Sequence, residues 1–220
     1  MYYQVQLLRS LFQPFVYSYQ LKQAERIEGI WGRTVLLMII TIIISSISAY
    51  FGIGNEILSN KIHELTPEQF EIMKVFFALG QVLNGIVITA LYIFFPSLLI
   101  WLFADIEYKK LVIIQLLVVT ILLFEKLIII PLHLFLGIDQ DSSPFSFGVM
   151  AQYITNYKLI IYFLSAITLF KIWAIVIQYK YLKSMSQKSP AFILVILLSI
   201  NLLFWVFNAL FSYIQFEKLI

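Results

Sequence analysis

The sequence predicts an all-α integral membrane protein in which five transmembrane helices form a bundle. Of its 220 residues, 61% are hydrophobic and only 12% are charged. A soluble domain has about 45–50% apolar and about 25% charged residues, so this chain has too little charge to cover a surface in water. Five apolar runs are also long enough to cross about 30 Å of hydrocarbon as helices. They are too long for strands and lack the frequent turn signals of a β-protein. The five predicted spans cover residues 34–53, 82–104, 111–136, 159–179 and 191–213.

The N-terminal segment, residues 1–33, precedes the first span. It has no basic start followed by an apolar core and a small-residue cleavage site, so it is not a cleavable signal peptide. Aromatic residues alternate with Lys22, Arg26 and Arg33 in its second half. This pattern is compatible with an amphipathic helix lying at the membrane surface. A solvated cytosolic tail fits the same composition equally well.

The distribution of lysine and arginine predicts the orientation, because basic residues accumulate in cytoplasmic loops. Nine of them lie in the N-terminal segment and in the loops 105–110 and 180–190, which share its side of the membrane. Four lie in the loops 54–81 and 137–158 and in the C-terminal tail. The N-terminus is therefore expected in the cytoplasm, and the tail 214–220 outside it.

The longer segments between spans lie on the predicted outer side. Thr66 followed by Pro67, Glu68 and Gln69 is a helix-start pattern, and it predicts a short surface helix leading into the second span. Residues 137–154 are rich in turn-forming residues. The inner loops are too short to hold an ATPase or kinase domain.

No pattern of known catalytic chemistry is present in the sequence. Phosphate-binding loops and the G-x-S-x-G nucleophile motif are missing, and the chain has no cysteine. The two histidines, His63 and His133, lack partners at metal-ligand spacing. We therefore predict no catalytic residue, no cofactor and no metal, and a non-enzymatic protein. A net charge of +3 is also small for a nucleic-acid-binding protein.

Several polar side chains fall inside the predicted spans, where they are costly and are candidates for function. One group shares a face of the fifth span through the spacing i, i+4, i+7. Such residues usually hold helices together, and a role facing a substrate is the alternative. The candidates are Asn84 beside Gly85, Gln115, and the group Asn201, Trp205 and Asn208.

Three charged residues also lie inside spans: Glu125, Lys126 and Lys171. Lys126 is close enough to the end of its span for its long side chain to reach the headgroups. Lys171 lies near the bilayer centre, where a lysine costs roughly 2.5 to 3.5 kcal/mol. The third and fourth spans are expected to be antiparallel neighbours, so Glu125 and Lys171 are predicted to pair. The pair could fix the helix register, line a polar cavity for a substrate or partner, or relay protons or ions.

Three stretches resemble the bacterial branch of the Yip family (Ypt-interacting proteins). They are NGIVITALYIFFPSLLIWLF (84–103), SSPFSFGVMAQYI (142–154) and FLSAITLFKIWAIVIQYKYLK (163–183). The resemblance extends over about residues 30–215. The aspartate-leucine-glycine-proline signature of the eukaryotic branch is not present, so a GTPase partner is not carried over.

The resemblance implies a non-enzymatic accessory protein in the cytoplasmic membrane. Its expected partners, besides the lipid bilayer, are the permease, ATPase and adaptor subunits of an ABC-type exporter. Protection against a secreted toxic peptide is the expected setting. Two alternatives remain: a stand-alone immunity protein that binds a toxin through its outer loops, and a small transporter that uses Glu125 and Lys171.

Overall fold

The computed structural model describes residues 2–54, 66–137 and 143–214. Nine helices and one small sheet make up these three ranges. The elements are β1 (Tyr2–Gln4), α1 (Leu7–Phe12), α2 (Pro14–Gln23), β2 (Arg26–Glu28), α3 (Ile30–Tyr50), α4 (Pro67–Phe103), α5 (Tyr108–Leu136), α6 (Gly148–Ile154), α7 (Lys158–Ser165), α8 (Leu169–Met185) and α9 (Pro190–Ile214).

The helices α3, α4 and α5 pack against one another, and α4 runs antiparallel to α3. Thr41 of α3 lies opposite Thr89 of α4, with their hydroxyls 3.1 Å apart. One turn further along α3, Ser45 lies opposite Gly85. A Cβ on Gly85 would be only 2.5 Å from the Ser45 hydroxyl, so the absence of a side chain lets the two backbones approach.

Helix α5 is the centre of the bundle, because α1, α3, α4 and α8 all pack against it. In its most apolar stretch 61% of the residues are buried, compared with 17% in α9. A helix that is apolar on every side is stable only where other helices or lipid surround it. The exposed apolar faces of α3, α4 and α9 are therefore the surfaces that lipid or other membrane helices cover.

Four helices in the described ranges are long and apolar enough to cross a membrane: α3, α4 from Glu68, α5 and α9. The chain is thus a membrane-embedded helical protein. The fourth predicted span, residues 159–179, is not one continuous helix, because it is interrupted between Ser165 and Leu169. Its two parts are α7, with 8 residues, and α8, with 17.

The N-terminal segment is not the single surface helix that its composition allowed, nor is it a solvated tail. It folds into α1, α2 and a parallel pairing of β1 with β2. Gly29 then adopts a φ of +86°, which turns the chain into α3.

Three hydrogen bonds fasten this N-terminal segment to the bundle. The Tyr181 hydroxyl donates to the Ser10 carbonyl at 2.9 Å, and the Lys110 ammonium donates to the Lys22 carbonyl at 3.2 Å. Arg33 donates to the Val5 carbonyl. These contacts cannot be predicted from the sequence of the segment alone, because their donors lie on α3, α5 and α8.

The predicted helix start at Thr66 is confirmed. The Thr66 hydroxyl accepts from the Gln69 N–H at 3.3 Å, and the Gln69 side chain accepts from the Thr66 N–H at 3.1 Å. The helix is longer than expected, because it continues without a break into the second predicted span. His63 and residues 215–220 lie outside the described residues.

Candidate functional site

The interruption between α7 and α8 faces Glu125 on α5. The two long helices of this contact, α5 and α8, are antiparallel, and their register is visible in two hydrogen bonds. Gln178 pairs with Gln115, and Thr168, ten residues before Gln178, pairs with Glu125, ten residues after Gln115. Glu125 is buried, with 6% of its surface exposed. The only acidic residue inside a predicted span thus points at the start of α8.

Thr168 is the N-cap of α8 and connects this helix start to Glu125. Its hydroxyl oxygen accepts a hydrogen bond from the Lys171 backbone N–H at 3.3 Å. The same hydroxyl donates to the Glu125 carboxylate. The first N–H groups of a helix have no partner within the helix, and a negative charge is favourable beside them. Thr168 therefore caps the start of α8 and holds the Glu125 carboxylate next to it.

Lys171 contacts the other end of the interruption, where α7 ends. Its ammonium group donates to the Ala166 carbonyl at the end of α7, at 2.5 Å. Terminal carbonyls of a helix lack partners within the helix, and a cation beside them is favourable. Among the ion pairs of the described residues, none joins Glu125 to Lys171 within 4 Å. The two charges share one cluster, in which Glu125 bonds to the Thr168 hydroxyl and Lys171 donates to the Ala166 carbonyl.

A short turn, residues 143–147, packs against the interruption from a third side. The Phe147 N–H donates to the Ile167 carbonyl at 3.1 Å, and the Leu169 N–H donates to the Phe145 carbonyl at 3.0 Å. Non-helical backbone at membrane depth is tolerated only where protein or a cavity supplies its hydrogen bonds. Here residues 143–147 supply two of these bonds and the side chains of Thr168 and Lys171 supply others.

A small polar cavity lies next to this cluster, between α4, α5, α8 and α9. Its volume is about 30 Å³, and Lys171, Gln115, Gln178, Asn201 and Trp205 contribute to its walls. The Gln178 amide N–H donates to the Gln115 carbonyl oxygen at 3.0 Å. The other amide atoms, Gln115 Nε2 and Gln178 Oε1, are buried without a partner. A cavity of this size and polarity has room for about one water molecule, which could bond both atoms.

The remaining predicted residues are divided between the interior and the surface. Asn201 lies at the cavity and donates to the Leu197 carbonyl within its own helix at 2.9 Å. Asn208 is exposed, although it shares a helix face with Asn201. A shared face is buried only where another helix lies against it. Asn84 and Lys126 are exposed as well.

Sequence reasoning missed Thr168 and Gln178, which complete the two polar contacts between α5 and α8. Thr168 lies three residues before Lys171, and a threonine at that distance before a helical run is a possible N-cap. That signal is weak inside an apolar stretch. Gln178 lies near the predicted end of the fourth span, where polar residues are common, so its position did not mark it as a candidate.

Chemically, the site holds a carboxylate, an ammonium group and two amides, but its charged groups are bound to the protein itself. Within the described ranges, no three histidine, aspartate or glutamate side chains converge on a possible metal position. Comparison with family models, with curated proteins and with solved structures found no match.

Proposed function

We propose that this protein is a non-enzymatic membrane accessory protein that acts by binding other membrane proteins, with an ABC-type exporter as the partner. The exporter's permease, ATPase and adaptor subunits are the proposed contacts, and protection against a secreted toxic peptide is the proposed setting. The partner class comes from the sequence resemblance to the Yip family. A stand-alone immunity protein that binds a toxin through its outer loops is the alternative.

One structural observation supports an accessory role: the charges inside the bundle are occupied by the open ends of an interrupted helix. Glu125 bonds to Thr168 at the start of α8, and Lys171 bonds to Ala166 at the end of α7. Enzymes and ion relays use titratable groups that are free to exchange protons with a substrate or with one another. Charges that are already bound by a helix-capping hydroxyl and by a backbone carbonyl fit a fixed structural element instead.

The proposal includes a topology with five crossings, in which α7 and α8 together form an interrupted fourth span. An N-terminus in the bacterial cytoplasm and a C-terminus outside follow from the distribution of basic residues. A reporter that is active only outside the membrane, fused after residue 220, should be active. The same reporter fused after residue 187 should be inactive. An inactive fusion at residue 220 would contradict five crossings.

Affinity purification tests the proposed partner. The tagged protein is extracted from its own host in a mild detergent, and the proteins that remain bound are identified by mass spectrometry. Subunits of one exporter, both permease and ATPase, should be recovered together and in constant ratio. Recovery of the protein alone after chemical cross-linking in the intact membrane would contradict the proposal.

A second function, a small transporter, is favoured by one observation. Interrupted helices near the bilayer midplane often form substrate and ion sites in transporters. Here the interruption adjoins the cavity that contains the unpaired amide atoms of Gln115 and Gln178. Its volume of about 30 Å³ is that of one water molecule, so a transported solute would require the bundle to open.

Reconstitution separates the two functions. The purified protein alone, in sealed vesicles loaded with a pH-sensitive dye, should not raise proton or ion flux above that of empty vesicles. Flux that the protein alone produces, and that Gln178→Leu abolishes, would establish the transporter instead. Gln81→Leu is a matched control, because Gln81 lies on α4, away from the cavity.

A further inference from the structure

An open cleft lies between α1, α3 and α5, on the opposite side of α5 from the cavity described above. Its volume is about 420 Å³, which is within the roughly 300–1,000 Å³ of ligand-binding clefts. Apolar side chains of α3 and α5 form its walls. Arg9 of α1 and Arg33 of α3 also line it. We name it the arginine groove.

The two arginines retain free donor capacity toward the groove. Arg33 uses its Nε to donate to the Val5 carbonyl at 3.1 Å, which holds the guanidinium in place. Arg9 donates to the Gln6 side chain at 3.4 Å. No aspartate or glutamate lines the groove, and no carboxylate within the described ranges forms an ion pair with either arginine. Guanidinium groups bind phosphate in a planar, two-pronged geometry, so the unmatched charge favours an anionic phosphate group.

Beyond the arginines the groove is apolar. Leu36, Leu37 and Ile40 of α3 face Leu123, Phe124 and Leu127 of α5. The Thr120 hydroxyl, which also lines this part, donates back to the Leu116 carbonyl at 2.7 Å. Arg33 and Ile40 are seven residues apart, so the apolar part is about 10 Å long along α3. This length and polarity suit a hydrocarbon chain.

The arginine end of the groove lies where lipid headgroups are expected. Arg33 is in the first turn of α3, two residues after Trp31, whose side chain is 73% exposed. Exposed tryptophans near the end of a membrane helix typically lie at the boundary between headgroups and hydrocarbon. Leu36 and Leu127 are 40% and 45% exposed, so the groove opens sideways toward the bilayer.

We propose that the arginine groove binds one anionic phospholipid from the surrounding bilayer. Its phosphate lies against Arg9 and Arg33, and one acyl chain follows the apolar walls between α3 and α5. Basic pockets between membrane helices on the cytoplasmic side bind anionic headgroups in this way. A peptide or a second copy of the chain fits less well, because the groove is short, narrow and charged only at one end.

Native mass spectrometry of the detergent-purified protein tests the proposal. Phosphatidylglycerol and phosphatidylcholine with identical acyl chains are added at equal concentrations. The expected result is one bound phosphatidylglycerol per chain and little bound phosphatidylcholine. Each arginine near an anionic lipid surface contributes about a fivefold change in affinity, so Arg9→Gln should weaken binding about fivefold and Arg9→Gln with Arg33→Gln about 25-fold.

Two further variants keep the test decisive. Arg26→Gln removes the same charge from β2, outside the groove, and should bind phosphatidylglycerol like the unaltered protein. Leu36→Trp fills the apolar part and should lose binding although both arginines remain. If the loss of the bond to Val5 prevents the Arg33→Gln variant from folding, Leu36→Trp still tests the groove.

Three results would overturn the proposal. The first is equal binding of the two lipids. The second is an Arg9→Gln variant that binds phosphatidylglycerol as well as Arg26→Gln. The third is a peptide or a second copy of the chain that occupies the groove in place of the lipid.

Discussion

Substitution of Thr168 perturbs the interruption between α7 and α8 at a single atom. The Thr168 hydroxyl oxygen caps α8 by accepting a hydrogen bond from the Lys171 N–H at 3.3 Å. The same hydroxyl donates a hydrogen bond to Glu125. Loss of an N-cap costs about 1 kcal/mol. Loss of a hydrogen bond to a charged group costs about 1.5 kcal/mol or more. Thr168→Ala should therefore lower the free energy of unfolding by about 2.5 kcal/mol.

Thr168→Ser is the matched control, because it keeps the hydroxyl and loses only a methyl group. The two variants are compared by reversible unfolding in mixed micelles, with increasing dodecyl sulfate and tryptophan fluorescence as the signal. Serine should cost less than about 1 kcal/mol, which is the transfer free energy of one buried methyl-sized group. If the alanine and serine variants were equally stable, the hydroxyl would not hold the interruption together, and our account of the Glu125 side chain would fail.

The same unfolding measurement tests two other contacts. Gly85→Ala should destabilise the protein by about 1–2 kcal/mol, because the new methyl group would lie 2.5 Å from the Ser45 hydroxyl. Gly80→Ala meets no atom within 4 Å on the same helix and should be neutral or slightly stabilising; equal effects at both glycines would argue against close packing of α3 and α4. Gln115→Leu or Gln178→Leu alone should cost about 1–3 kcal/mol, since each leaves the other buried amide without its partner. The double variant should be close to the unaltered protein, and additive losses would mean that the two amides do not depend on each other.

The long membrane helices were predictable because their cause is local. An apolar run of sufficient length forms a helix in lipid whatever its neighbours are. The spans that became α3, α5 and α9 were therefore placed within a few residues, as was the capped start of α4 at Thr66.

The interruption between α7 and α8 was not predictable in the same way. Residues 165–169 contain neither proline nor glycine, and their hydropathy is that of a continuous helix. The break depends on residues 143–147, more than 15 positions earlier, which bond to Ile167 and Leu169. Hydropathy reports what a segment prefers in lipid, whereas these bonds are made by another part of the chain.

The sequence identified the two charged residues of the candidate site but missed Thr168, Gln178 and the contacts that the charges make. Glu125 and Lys171 were identified because a charge inside an apolar helix is costly and must be compensated. Direct pairing was the simplest compensation for two opposite charges on neighbouring helices. The interruption provides other partners: the capping hydroxyl of Thr168 for Glu125, and the Ala166 carbonyl for Lys171.

An exchange of the two charges is the most direct test of this account. The variant Glu125→Lys with Lys171→Glu keeps an opposite pair in the cluster but places a lysine at the start of α8 and a glutamate at the end of α7. Each charge then faces the unfavourable helix end. The free energy of unfolding of the double variant should be no higher than that of the less stable single variant. A double variant that recovers the stability of the unaltered protein would contradict the account and establish a direct Glu125–Lys171 pair.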